Sequence, residues 1–538
     1  MLRKLTAIGV FVLAIAPAAY LAWTLRAMPH LGFYHDDSIY WVSAKSLAEG
    51  HEYRIASLPG QPYQTKYPPL YPALLAGIWK IDPNFPSNLP LATLFAWLLL
   101  PIYLATVWAF LRQYGFGWRE QCLLVLLAGL SPVAATFSFS LMPELLFTAL
   151  LVSSVLLAER SFSDDSPRWL PVLAGVCGAL AYLTKSSAGP LLLTAPICFL
   201  WRKQFVKAVW FFAAMFPAVA GWQWWAARHA SHSWDLVTLY YTNYFGFQIY
   251  NVPWRDLPLV FWHNLDGFLL GAGKLLTFDV PYGAKALERV VAVAAIAGVV
   301  RLARRRQMLQ YPLAAVGISA LLLVWHYVPD QRFVFPLYPL LLAGLWTELA
   351  NVWLAFRAAW KKPSAAERAV AFLGAGALAA LALFVCFTTC FGLFYFLPDL
   401  LGSYRDALET RKPAYQWIAK NAPADANVFA YDDPMMYLYA GRKSCNLPIP
   451  PKLFYHNDDT GIDKLLHSIP DFTRQYQLSF VLLTPSDFYR DLHEPGARHL
   501  TEAVEHSSAF HRAFKTPSVA IYRVDSGAGT GSLTLAVR

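Results

Sequence analysis

Most of this chain is a succession of long apolar runs separated by short polar connections, a pattern that its last quarter abandons. An apolar run that approaches or exceeds about 20 residues reads as a helix crossing a bilayer. On that measure the pattern predicts about eleven spans. They are Leu5–Leu25, Leu91–Leu111, Gln121–Phe137, Leu141–Ala158, Leu170–Leu183, Ala188–Leu200, Val206–Ala227, Leu287–Val300, Tyr311–Val328, Phe333–Leu349 and Ala369–Phe396. The first, preceded by Arg3 and Lys4, resembles a signal peptide, but its length favours a retained helix.

Three longer polar or aromatic intervals interrupt this body: Arg26 to Pro90, His229 to Lys285, and Pro398 to Arg538. In the first, Asp37 is placed to cap a helix over Ser38–Glu49 that Gly50 ends. Pro68 and Pro69 open a second helix over Leu70–Lys80, with Leu70, Leu74, Leu75 and Ile78 on one side. Both read as amphipathic helices lying along the membrane. The tail has a helical pattern at Tyr404–Asn421 and strand-like runs at Asn427–Tyr431, Leu478–Leu483 and Ser518–Val524. The expected fold is therefore mainly α: a polytopic transmembrane bundle over residues 1–397 and a small soluble α/β domain over 398–538.

Charge fixes the expected orientation. If the N-terminus is cytoplasmic, alternate connections place the basic residues inside: Arg112 and Arg119, Arg160 and Arg168, then Arg202, Lys203 and Lys207. The groups Arg301, Arg304, Arg305 and Arg306, then Arg357, Lys361, Lys362 and Arg368, follow on the same side. The opposite connections carry chiefly Lys185 and Arg332, an asymmetry that follows the positive-inside rule. A full span at Leu257–Phe278 would reverse every later loop, so this segment is expected to be re-entrant or interfacial. The three long intervals then face outward.

The composition agrees: 57% of residues are hydrophobic and 14% charged, where a soluble domain carries about a quarter charged. The formal net charge of +10 belongs to these loops, so nucleic acid is not an expected partner. Of six cysteines, five lie in apolar runs and only Cys445 in the tail, with no zinc-like or disulfide spacing. No nucleotide motif or repeat is present.

A few ionisable residues stand out against this apolar background. His35-Asp36-Asp37 follows the first helix, and two adjacent carboxylates could take a proton from an attacking hydroxyl or hold a divalent cation. Equally, Asp37 could be a simple cap. Lys66, in Thr65-Lys66-Tyr67-Pro68-Pro69, could meet a phosphate at the start of the next helix, or snorkel to lipid head groups. Glu144 lies at the outer end of an apolar helix, where an ionisable group is costly and usually has a wet cavity or a partner. Lys185 sits at a short outer turn, and Arg332 could clamp a phosphate or pair with Asp330. The topology places Asp36, Lys66, Glu144, Lys185 and Arg332 on one face of the membrane. Such a set suits transfer of a group from an anionic lipid, with a carboxylate as base and cations neutralising the departing phosphate.

These motifs resemble the GT-C glycosyltransferases, most of all the protein O-mannosyltransferase and lipid A aminoarabinose transferase group. The resemblance rests on the acidic pair after the first helix, the lysine before Pro68-Pro69-Leu70, the multi-span body, the run Arg332–Pro339 and the outward tail. It implies an acidic residue of the first outer loop, Asp36 or Asp37, as catalytic base and Lys66 at the lipid phosphate. His35, Tyr67, Glu144, Lys185 and Arg332 complete the expected substrate- and phosphate-binding set. Two departures are visible. Tyr67 separates Lys66 from Pro68, where the aminoarabinose transferases read Lys-Pro-Pro, and the mannosyltransferases carry Asp-Glu in place of Asp36-Asp37. Their β-trefoil domain also has no counterpart here.

The expected partners are a polyprenyl-phosphate-linked sugar, membrane lipids and a protein, lipid or glycan acceptor. No cofactor is demanded, although a divalent cation held by Asp36, Asp37 and Glu144 stays open. The expected location is a bacterial inner membrane with the active site outside the cytoplasm. Two other readings are a secondary transporter with Glu144 and Lys185 as coupling charges, and a membrane assembly factor presenting the soluble tail.

Overall fold

The computed structural model describes residues 2–277, 284–360, 365–492 and 497–525. Phe278, Lys361, Lys362 and the end of the tail, which enter the expectations above, lie outside the described residues. The chain is mainly helical and forms two compact units, each built from separated stretches of sequence. One comprises Met1–Arg26, Thr93–Trp222 and Val260–Leu400, and the other Ala27–Ala92, Gln223–Leu259 and Leu401–Arg538.

The first unit holds the apolar helices. Among the described residues, five helical runs are long and apolar enough to cross a membrane: Arg3–Thr24, Leu89–Gln113, Phe205–His229, Gln331–Trp360 and Ala365–Asn421. Leu170–Thr184, Ser186–Trp201 and Gln310–Leu323 are shorter apolar helices. Large apolar side chains such as Leu13, Trp23, Trp201, Val206 and Leu373 stand outward on these helices. Water would penalise so extensive an apolar surface and hydrocarbon does not, so the protein is an integral membrane protein of several spans.

Small residues let the spans close on each other. A Cβ on Gly298 would fall 1.9 Å from the carbonyl oxygen of Gly344, so helices Lys285–Arg306 and Tyr338–Trp360 meet backbone to backbone at this pair. Between the same two helices, Arg301 donates from Nε and Nη2 to the two carboxylate oxygens of Glu348, at 2.8 and 3.2 Å.

Four helix expectations are corrected. The run Gln121–Phe137 is two helices, Trp118–Gly129 and Pro132–Phe137, because Ser131 turns out of helical geometry and caps the second while Pro132 cannot continue the first. Helix Glu144–Arg160 begins after Pro143, three residues later than expected, and Gln310–Leu323 ends five residues early. Leu257–Thr277 is one unbroken helix and has no re-entrant turn. Its buried Asn264 donates to the carbonyls of Leu322 and Trp325, at 3.0 and 2.7 Å, where helix Gln310–Leu323 leaves backbone acceptors open.

The second unit carries the polar intervals. Helix Asp36–Ala48 packs on helix Leu70–Ile81, with the rings of Trp41 and Trp79 centred 4.7 Å apart and the Trp79 indole N–H donating to the Trp41 carbonyl. Gly50, at φ 78°, follows the end of the first helix as expected. The expected cap does not form: His35 holds the N-cap position, and Asp37 lies inside the first turn. The buried side of Leu70–Ile81 is Tyr71, Leu75, Ile78 and Trp79, a stripe at i, i+4, i+7 and i+8, while Leu74 is exposed.

The tail adds a five-stranded sheet: β1 (Asn427–Phe429), β2 (Lys443–Cys445), β3 (Leu478–Leu483), β4 (Phe510–Lys515) and β5 (Ala520–Val524). Their order is β2-β1-β3-β5-β4, with β2, β1 and β3 parallel and β5 antiparallel to both neighbours. Val428, Leu482 and Ile521 bury one face against Tyr415 and Ile418 of the helix ending at Asn421. β1 stops at Phe429, two residues before the expected end, because the chain turns into helix Asp433–Ala440 opened by Pro434. β5 begins at Ala520, two residues later than expected.

Candidate active site

In the second unit, the His35-Asp36-Asp37 run and Lys66-Tyr67 come together with tyrosines of the 236–251 region. The Tyr67 hydroxyl donates to Asp36 Oδ1. Lys66 is 5% exposed, and its ammonium lies 4.5 Å from the centre of the Tyr240 ring, 5.1 Å from Tyr67 and 5.2 Å from Tyr244. Three aromatic faces around one cation stabilise its charge while most water is excluded. The strand of chain carrying Lys66 is fastened at both ends. The backbone N–H groups of Lys66 and Tyr67 donate to Gln64 Oε1 at 3.2 and 3.3 Å, and the Tyr53 hydroxyl donates to the Tyr67 carbonyl at 3.0 Å.

The two adjacent carboxylates occupy different environments. Asp36 is half-buried; Asp37 is fully buried, accepting from the Ser38 N–H at 2.9 Å and from the Gly32 N–H at 3.1 Å. Burial pushes the Asp37 carboxyl up to about 6, against the opposing pull of those two N–H donors. Asp37 ties the chain entering the helix back to Gly32, and Asp36 keeps the access a proton acceptor needs.

His35 sits between this pair and the tail. Its Nε2 lies 2.9 Å from Asp433 Oδ1, and the Tyr240 hydroxyl lies 3.1 Å from its Nδ1. The Tyr241 hydroxyl donates to the same Asp433 oxygen at 2.7 Å. Burial lowers the imidazole pKa, but the hydrogen bond and charge of Asp433 outweigh that and leave it raised.

In the first unit, Glu144, Lys185 and Arg332 meet. Glu144 is wholly buried at the start of helix Glu144–Arg160, and its Oε1 accepts from Lys185 Nζ and Arg332 Nε, both at 2.9 Å. Its Oε2 is buried with no partner among the described residues. Both cations reach the Phe333 ring, at 5.4 and 5.5 Å. Lys185 is held at the end of helix Leu170–Thr184. Asp330 accepts the backbone N–H groups of Arg332 and Phe333 and also feels the charge of the Arg332 guanidinium. Two cations share the Glu144 carboxylate, and Asp330 adds a second acidic group within electrostatic reach of both.

Sequence reasoning missed Asp433, Tyr240, Tyr241, Tyr244 and Gln64. The tyrosines were signalled only by the aromatic richness of their interval, and Asp433 by nothing local. Among the described residues, no group of three or more His, Cys, Asp or Glu side chains gathers in a way that could hold a metal ion.

Comparison with known proteins adds to this geometry. A family model for dolichyl-phosphate-mannose-protein mannosyltransferases matches residues 66–225. No curated protein matches the sequence. Among solved structures, ArnT from Cupriavidus metallidurans bound to undecaprenyl phosphate is 15% identical, with a TM-score of 0.52 over 97% of this chain and 99% of its own. The archaeal oligosaccharyltransferase AglB from Archaeoglobus fulgidus, in complex with an inhibitory peptide and a dolichol-phosphate, is 12% identical, with a TM-score of 0.51 over 97% of this chain and 74% of its own. The match in sequence over one segment and in fold over nearly the whole chain agree: this is a membrane protein with the fold of the GT-C glycosyltransferases.

Proposed function

We propose that the protein is an integral-membrane glycosyltransferase that moves a sugar from a polyprenyl-phosphate donor to an acceptor outside the cytoplasm, with Asp36 as general base. The observation that carries this reading is the pairing of chemistries in one cluster: a half-buried carboxylate held by Tyr67, and the caged ammonium of Lys66. In the proposed step the acceptor hydroxyl gives its proton to Asp36 as its oxygen bonds to the anomeric carbon. The bond from that carbon to the phosphate oxygen breaks, and the electron pair leaves with the polyprenyl phosphate. Lys66 offsets the charge that the phosphate gains. The donor class is supported by the lipid phosphates bound in the ArnT and AglB structures and by the family that residues 66–225 match. In the membrane unit, Lys185 and Arg332, oriented by Glu144, form a second set suited to an anionic head group.

The proposed setting is a bacterial inner membrane crossed by about eleven spans, with the basic connections inside and residues 398–538 outside. The test supplies purified protein in nanodiscs, with extracted membranes, a panel of undecaprenyl-phosphate-linked radiolabelled hexoses and aminopentoses. Label should move to an acceptor, and Asp36→Asn should cut the rate by about 10²- to 10⁴-fold while the protein stays folded. Full activity in Asp36→Asn would remove the proposed base.

A further inference from the structure

The residue that presents Asp36 is held in an unfavourable conformation, and the group that holds it comes from the opposite end of the sequence. His35 has φ 60° and ψ −48°, a region that a residue with a side chain rarely adopts. Conformations of this kind persist where surrounding structure over-determines them. Here both ring nitrogens of His35 are engaged, Nε2 by Asp433 and Nδ1 by the Tyr240 hydroxyl. Ser38 Oγ also donates to the His35 carbonyl at 2.7 Å, closing the turn on itself.

Asp433 is built for this one task. It is fully buried at the start of the helix that follows β1, and its position is set by Pro434 and by Ser444 Oγ of β2, which donates to its carbonyl. Its Oδ1 takes the bonds to His35 and Tyr241, while Oδ2 is buried with no partner among the described residues. A carboxylate on one imidazole nitrogen fixes which nitrogen carries the proton and how the ring is turned. Tyr240 completes a chain of contacts, since the ring whose hydroxyl meets His35 also covers the Lys66 ammonium.

Building on the glycosyltransferase reading above, we propose that Asp433, in the C-terminal α/β segment, is a positioning residue: through His35 and Tyr240 it holds the turn that presents Asp36 beside Lys66. The C-terminal segment thereby completes the transfer site without touching substrate.

The test uses the full chain in nanodiscs and compares Asp433→Asn, Asp433→Glu, His35→Gln, the Asp433→Asn/His35→Gln double variant and Tyr241→Phe, a milder change that keeps the carboxyl. Amide hydrogen exchange over residues 33–40 needs no sugar donor. It should quicken by about tenfold in Asp433→Asn and in His35→Gln, by less in Tyr241→Phe, and by no more in the double variant than in either single one. Unchanged exchange in the single variants, or additive effects in the double, overturns the proposal even if the wild type transfers sugar. With the undecaprenyl-phosphate-linked sugar that the wild type uses, Asp433→Asn should lower kcat by about 10- to 100-fold and leave the donor KM within about threefold, with partial recovery in Asp433→Glu. An unchanged kcat, or a loss confined to KM, also overturns it. A wild type that moves no sugar in any form sinks the glycosyltransferase reading instead, and the exchange measurement still decides whether Asp433 holds the turn.

Discussion

Replacing Asp37 tests whether the two neighbouring carboxylates are divided between structure and chemistry. Asp37 is fully buried and its folded-state pKa is raised from 3.8 to about 6. A raised carboxyl pKa means that the folded state holds its proton after the unfolded chain has lost it. Its stabilising effect is complete below pH 4 and is lost as pH rises through 6. A difference of roughly 2 units at about 1.4 kcal/mol each is about 3 kcal/mol of stability lost across that window. Asp37→Asn cannot ionise, so its stability should lack this loss with rising pH, while its amide oxygen still accepts from one of the two N–H groups. Asp37→Ala also lacks it and leaves the Gly32 and Ser38 N–H groups without acceptors, each costing about 1–3 kcal/mol. Equilibrium unfolding in detergent, followed by tryptophan fluorescence between pH 4 and 7, measures both effects. Subtracting each variant from the wild type removes the other buried acids, which titrate in all three proteins. The reasoning is refuted if the pH dependence of Asp37→Asn matches that of the wild type.

Two further outcomes follow from packing in the membrane unit. Glu144→Ala removes the buried carboxylate that both Lys185 and Arg332 bond, and should destabilise by about 3–5 kcal/mol. A triple variant adding Lys185→Met and Arg332→Leu should recover most of the loss in a thermal melt; no recovery would mean that the ion cluster is not the cause. Gly298→Ala puts a methyl group into the Gly344 carbonyl, so helices Lys285–Arg306 and Tyr338–Trp360 must part, at a cost of about 1–3 kcal/mol read from the same melt.

Much of the secondary structure was legible because its signals are local. The apolar runs, Gly50 after Ala48, the proline pair before Leu70 and the short apolar run Leu478–Leu483 each declare an element within a few residues. Where two local signals competed, the weaker-looking one prevailed: Ser131-Pro132 split a run that hydropathy alone joins. The sequence could not show β2, too short for a period, or β4, largely exposed at the edge of the sheet. It also could not rank Asp36 against Asp37. That distinction depends on burial and on where the Gly32 N–H points, and neither is encoded in two adjacent identical residues.

By itself the sequence determined that this is a multi-pass chain built for hydrocarbon, and which few ionisable residues an apolar chain carries at that cost. Hydropathy acts residue by residue along the chain, so it survives being read in one dimension. Only the tertiary structure decided the partnerships: Glu144 with Lys185 and Arg332, Lys66 among Tyr67, Tyr240 and Tyr244, and His35 with Asp433 nearly four hundred residues away. A hydrogen bond between side chains requires atoms within about 3 Å in a fixed direction. Sequence separation carries no trace of that condition until the chain has folded.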